Sequence, residues 1–372
     1  MVVSPPIRHR FMLFRVFVCA CIVAACVGAS GHAEAPVQVA AGVPQFEVDP
    51  DWPQPLPNNW VLGPVSGIGV DASDHIVLVQ RNESDSVKKA GGVPAPHVVE
   101  FDPAGKVVRA WGGPGAGYTW MEQVHGLTID HKNRVWISGN GDRDAHLLVF
   151  TRTGQLIRQI GTPGNRNGSN DTQNLGAATQ MRVDPPAGDV FVSDGEQNRN
   201  HRVIVLDAET GAYKRHWGAY GARPDDSAVV ARVDPTGPAP KQFGSAVHCL
   251  RLGPDNLVYA CDRSNNRFQV FRKDGTFVRE VFVARDTAGA GSVWDVAFSG
   301  DGAFMYVADG TNAKVWILRR DTYEVVGSFG GSGSAPGQFA TSLHDIMVDS
   351  HGNLYTGEAA AAGRIQKFRL KK

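Results

Sequence analysis

Residues 125–139 read HGLTIDHKNRVWISG, and this stretch decides the fold. Leu127 and Ile129 alternate with small and polar neighbours, Asp130 to Asn133 supply a turn, and Val135 begins a second apolar run. Period-two alternation on both sides of an Asp/Asn turn is the signature of a β-hairpin. The pattern recurs as GIGVDASDHIVLV (67–79), MRVDPPAGDVFVSDG (181–195), HCLRLGPDNLVYACD (248–262), DVAFSGDGAFMYVADG (295–310) and HDIMVDSHGNLYTGE (344–358). A third strand and a return strand follow most copies, as in HVVEFDPAGKVVRAWG (97–112) and RFQVFRKDGTFVREVF (267–282). Six units of four short strands predict an all-β, six-bladed β-propeller, in which radial repetition leaves few open sheet edges. The last copy ends at IQKFRLKK (365–372) without a fourth strand. QFEVDPDW (45–52) is a spare strand able to complete that blade and close the ring. The propeller domain is therefore read as 45–372, after a linker over 34–44, with the long inserts at 162–178 and 219–244 covering one face.

Composition agrees. With 43 Gly and 22 Pro in 372 residues, the chain suits many strands joined by tight turns better than a helical bundle. Lys plus Arg (37) equals Asp plus Glu (37), so there is no basic face of the kind a nucleic-acid binder needs. The domain is expected to be monomeric.

The N-terminus reads differently. Arg8, Arg10 and Arg15 precede the apolar run Val16 to Val27, and small residues follow from Gly28 to Gly31. This is the layout of a secretory signal peptide over residues 1–33, and the apolar run is too short to span a membrane comfortably. The expected location is secreted or periplasmic; Cys26, after Val23-Ala24-Ala25, is an alternative lipid-attachment point. No later segment could span a membrane. Only Cys249 and Cys261 remain for the mature fold; they flank a hairpin, and their pairing depends on its register.

Aligning the six copies on their turn residue exposes one slot five positions earlier. It reads Ser66, His125, Thr179, His248, Trp294 and His344. The first strand of each propeller blade lines the central channel, so equivalent positions form a ring about the axis. Every second blade then sends one imidazole inward. Three converging histidines with an open fourth position are the usual protein shell of a catalytic zinc. A lone histidine at a strand start is more often packing than ligand, but three at one repeat phase point to metal. The other histidines, such as His75, His131, His201 and His351, are read as solvated turn or loop residues.

The stretches GSGSAPGQF (331–339) and DRSNNRFQVF (262–271) resemble NHL repeats, and VHGLTID, VHCLRLG and LHDIMVD together resemble peptidyl-α-hydroxyglycine α-amidating lyase. The resemblance runs along essentially the whole mature chain. It implies a six-bladed propeller with zinc on His125, His248 and His344. It also implies an axial calcium held by the carbonyls of Ile68 and Leu127 and by Asp345. Arg81 and Arg263 match the family's active-site arginines and would hold a substrate carboxylate through a guanidinium fork. One position departs from the family. Its catalytic tyrosine matches Glu196 in SDGEQNRNHR, either a weaker base or a turn residue. Ser342 likewise stands where the family has a methionine.

The implied activity is zinc-dependent cleavage of the C–N bond of an α-hydroxyglycine-type carbinolamide, giving an amide and glyoxylate. The substrate would be a small or peptide-derived molecule bearing a carboxylate. A metal-dependent lactonase or esterase on the same scaffold is the alternative within enzymes. A non-catalytic NHL-repeat binding protein is the alternative outside them.

Overall fold

A computed structural model describes residues 1–3, 42–82, 87, 91–227, 234–340, 342–359 and 363–371. The chain divides into two units, 1–36 and 37–372, and residues 1–3 of the first carry no regular structure. The leader, with Cys19, Cys21 and Cys26, lies outside the described residues. Among those described, no helix is long and apolar enough to cross a membrane.

The second unit contains six four-stranded antiparallel sheets. Their innermost strands are Val65–Val70, Val124–Ile129, Ala178–Asp184, Val247–Leu252, Asp295–Phe298 and Leu343–Val348, defining blades one to six. Each inner strand packs on the next, and the sixth packs on the first, so the ring is closed. Phe46–Val48 is the missing fourth strand of blade six. It pairs antiparallel with Arg364–Leu370, Phe46 opposite Leu370 and Val48 opposite Phe368. The expected spare strand thus closes the propeller, tying the start of the domain to its end.

Alternating apolar residues from neighbouring sheets meet between the blades. Ile68 and Leu78 of blade one pack with Tyr355 and Ile365 of blade six, and Trp136 and Leu147 of blade two pack with Met181 and Val192 of blade three. A buried ion pair also recurs at one repeat position. The second strand ends in an acid opposite a cation that begins the third: Asp194 faces Arg202, Asp262 faces Arg267 and Glu358 faces Arg364. Arg202 and Arg267 are fully buried, with Nε 2.9 and 2.8 Å from the carboxylates. Arg202 also donates to the carbonyls of Ser169 and Asn174, fastening the 162–178 insert onto blade three. Cys249 and Cys261 stand opposite each other in register and form a disulfide.

Candidate metal centre

The slot that carries the histidines coincides with an interruption in strand pairing. Ladder register shifts between Val65 and Gly67, Val124 and Leu127, Ala178 and Met181, Val247 and Cys249, and Leu343 and Asp345. In five of six blades the slot residue therefore sits in a bulge, which frees it from the ladder and re-aims its side chain. Backbone crowding reinforces this beside His125. A Cβ on Gly126 would lie 2.0 Å from the carbonyl oxygen of Thr179, so no larger residue fits between blades two and three.

His125, His248 and His344 are all buried and converge as the sequence predicts. One ligand nitrogen from each lies within 4.8 Å of the others. Nε2 of His248 is 3.2 Å from Nε2 of His344, close to the roughly 3.3 Å edge of a tetrahedron whose bonds are near 2.0–2.1 Å. Backbone carbonyls orient two of the rings through Nδ1: Thr179 O for His125 at 3.2 Å and Trp294 O for His248 at 2.6 Å. Such contacts leave Nε2 of each ring as the ligand atom. Burial, with Arg263 and His125 next, pushes His248 well below the usual imidazole range; burial, with the neighbouring imidazoles, does the same to His344. Both are therefore neutral at pH 7, the form that ligates a metal. Donor set, spacing and protonation fit a divalent transition metal.

Glu196 faces the same centre. Its Oε2 lies 2.9 Å from Nε2 of His125 and accepts a hydrogen bond from Asn140 Nδ2, while Oε1 is 3.3 Å from Arg263 Nη2. Burial would raise this carboxyl, but His125 and Arg263 outweigh burial and hold it well below the usual carboxylate range. The residue read as a catalytic base or a turn residue thus lies beside the histidine cluster. Arg263 stacks its guanidinium 4.3 Å over the Trp294 ring, and its Nε is buried without a partner. Arg81 donates to the carbonyl of Val124, next to His125, and its charge reaches Glu196 and His344. Both arginines thus border the histidine cluster. Ser342 uses its N–H on the Gly310 carbonyl.

The implied calcium ligands form a different arrangement. Ile68, Leu127 and Asp345 are buried on inner strands, but the Asp345 carboxylate is already surrounded by donors. Oδ2 accepts from the Ile68 N–H and the Gln180 amide, each at 3.3 Å, and Oδ1 accepts from Arg251 Nη2 at 3.2 Å. Burial, then the neighbouring Asp295, pushes Asp345 well above the usual carboxylate range. Calcium takes oxygen ligands at 2.3–2.6 Å. A dication on this carboxylate would sit near a guanidinium, and even two unit charges about 4 Å apart repel by about 4 kcal/mol at an effective dielectric of 20. These residues do not fit a calcium ion.

Several contributors were not anticipated. Asn140 carries no motif, and Trp294 appeared only as a filler of the shared slot. Arg251, Gln180 and Asp295 carry no motif either. The expectation that the remaining histidines are solvated needs correction: His201 is buried behind the 162–178 insert, its N–H on Ser169 Oγ, and His75 is half-buried with Nδ1 2.9 Å from Glu100.

No protein-family model matches the chain. It is 24% identical over 357 residues to peptidyl-glycine alpha-amidating monooxygenase B of Xenopus laevis, covering 88% of this chain and 36% of that protein. Mouse NHL repeat-containing protein 3 is 25% identical over 341 residues, covering 87% and 84% of the two chains. A Caenorhabditis elegans protein named as a probable peptidyl-alpha-hydroxyglycine alpha-amidating lyase is 26% identical over 225 residues, 56% of each chain. Among solved structures, a streptogramin B lyase superposes with TM-score 0.50 at 15% identity, covering 88% of this chain and 98% of that one, which bears on the fold alone. The chain is a six-bladed propeller that resembles, at low identity, the amidating lyases and the NHL repeat proteins.

Proposed function

We propose that this chain is a zinc-dependent lyase that cleaves the C–N bond of an N-acyl-α-hydroxyglycine or a closely related carbinolamide. The observation that carries the reading is the convergence of three buried imidazoles with one ionised carboxylate beside them. His125, His248 and His344 would hold the metal. When bound, it supplies Lewis acidity that makes a substrate hydroxyl acidic enough for a carboxylate to deprotonate.

Glu196 then serves as the proton acceptor. Its carboxylate is ionised at neutral pH and fixed by Asn140 and Arg263, so it reaches the hydroxyl without reorganising. The O–H electrons form the aldehyde C=O, the C–N bond breaks, and its electron pair goes to the amide nitrogen. That nitrogen takes up one proton, so the products are an amide and glyoxylate and no water is consumed. Arg263 and Arg81 border the centre as cations suited to the substrate carboxylate. Stacking on Trp294 keeps the Arg263 guanidinium oriented, and its unpartnered Nε leaves a donor for the incoming acid. A leader on residues 1–33 would deliver the enzyme to the periplasm or the exterior.

The test is product analysis on the zinc-loaded protein with N-benzoyl-α-hydroxyglycine, following benzamide and glyoxylate together. Equimolar release supports the lyase. Hydrolysis of a lactone or ester panel with no glyoxylate released would replace it with the hydrolase alternative. A purified protein that binds no zinc and turns over neither substrate would favour a binding role, in line with the similarity to NHL repeat-containing protein 3.

A further inference from the structure

One to three residues beyond the slot, the same inner strands build a second buried polar cluster. Arg251 Nη2 contacts the carboxylates of Asp295 and Asp345 and the carbonyl of Ile346, while its Nε donates to the Val296 carbonyl at 2.7 Å. Asp295 also accepts the backbone N–H of Ile346 at 3.0 Å and of Val296 at 2.8 Å. Asp345 takes the Ile68 N–H and the Gln180 amide, and Gln180 Oε1 accepts the Leu250 N–H. Blades one, three, four, five and six thus meet in one hydrogen-bonded cluster centred on a guanidinium.

We propose that the Arg251 guanidinium is the resident cation of the propeller axis, standing where the amidating-lyase resemblance implies calcium, so that the ring closes without a structural dication. Three observations carry this. First, the donors around Asp345 are N–H groups, which cannot ligate a metal, and they take up both carboxylate oxygens. Second, Arg251 bridges the blades as an axial ion would: one cationic guanidinium contacts two acid side chains and two carbonyls from different blades. Its charge is covalently attached and permanent, so closure does not depend on the ion content of the surroundings. Third, the cavity of about 270 Å³ that reaches this cluster is lined by Arg182 and Arg251 with Leu252, Phe298 and Met347, and by no acidic side chain. A dication entering there would meet two guanidinium groups.

The proposal is independent of the zinc reading and is tested on protein carrying its normal complement of zinc. Elemental analysis of the wild type should find less than about 0.1 calcium per chain, and neither EGTA nor added calcium should move its melting temperature by more than about 1 °C, since an ion that does not bind the folded state cannot stabilise it. Arg251→Ala leaves two carboxylates without their cation. Its melting temperature should fall well below that of the wild type and should rise when calcium is added. Stoichiometric calcium in the wild type, lost to EGTA with a fall in melting temperature, would overturn the proposal. So would an Arg251→Ala protein as stable as the wild type, or one that calcium leaves unmoved. If that variant does not fold, Arg251→Lys, which keeps the charge, takes its place beside the wild-type calcium measurement. Arg251→Lys should fold without calcium, and a calcium requirement there would count against the proposal.

Discussion

At His344 the inner strand of blade six turns an imidazole towards His125 and His248. One residue later, at Asp345, it turns a carboxylate towards Arg251 and Asp295. The two clusters share the inner strands and are similarly buried, yet their charges are arranged in opposite ways. Around the histidines, ring nitrogens converge and desolvation disfavours protonation of His248 and His344, an arrangement suited to a cation from outside. Around Asp345, donors converge and the cation is a side chain of the chain itself. On the proposed readings, dependence on an external ion is confined to the histidine level, where chemistry would take place. Removing a side chain should cost chemistry at one level and stability at the other.

The largest effect is expected at the first level. His248→Ala removes one of the three imidazoles proposed to hold the metal. Bound zinc should be lost, and turnover should drop by at least about 10³-fold, because the metal carries the stabilisation of developing negative charge. Elemental analysis beside the product assay checks both. Full zinc content in this variant would dissolve the comparison. At the second level, Asp295→Ala leaves Arg251 with one carboxylate fewer in a buried site. Breaking a buried ion pair costs about 3–5 kcal/mol, read from urea unfolding, while zinc content should stay at the wild-type value. A variant that unfolded normally but lost zinc would show that the two levels are not separate.

Glu196 stands beside the histidines without being needed to hold the metal, and Glu196→Gln sharpens that distinction. Replacing the proton acceptor with an isosteric amide should reduce turnover about 100-fold with zinc retained. Glu196→Tyr restores the residue implied by the family resemblance, and its lyase activity should exceed that of the Gln variant. Loss of zinc from the Gln variant would instead make Glu196 a ligand.

Much of this was readable in the sequence because it repeats. Six hairpins at one phase give the blades, the unpaired QFEVDPDW gives the closure, and the shared slot gives the three histidines. What repeats only in part was harder to see. The acid–cation pairs Asp194–Arg202, Asp262–Arg267 and Glu358–Arg364 follow the repeat, yet a charge at a strand end reads as solvent-exposed until the insert that buries it is placed. Arg251 was invisible for a stronger reason. An arginine in HCLRLG looks like the outward residue of an alternating strand, and its partners Asp295 and Asp345 lie 44 and 94 residues away. Asn140 and Trp294 are tied to the centre by contacts of similar range, namely Asn140 to Glu196 and Trp294 to His248. Local pattern locates positions that share a phase; it does not reveal which of them face each other.

The smallest effect, and the finest comparison of the two levels, is the pH dependence of the metal-free protein. His248 and His344 sit well below 6.5 in the fold, chiefly through burial, so below pH 6.5 the unfolded chain binds two protons that the folded chain does not. Stability therefore falls as pH drops through 6.5, by about 1.4 kcal/mol per pH unit for each ring. Asp345 acts in the opposite sense. Burial, then Asp295, holds it well above the usual carboxylate range in the fold, so the fold keeps its proton to higher pH than the unfolded chain and this residue loses stability as pH rises above 3.8. Glu196, against its burial, is held well below its ordinary value of 4.5 by His125 and Arg263, so it is ionised in both states well above that pH and contributes no slope there. Below pH 6.5 the two rings and the carboxyl therefore act in opposite senses. Asp345→Asn should therefore steepen the fall in stability with acid relative to wild type, and His344→Gln should flatten it, each by at most about 1.4 kcal/mol per pH unit. Urea midpoints in EDTA at several pH values measure both slopes, and taking differences cancels the contribution of every other group. Two variants that change the slope in the same direction would mean that the two levels do not titrate in opposition.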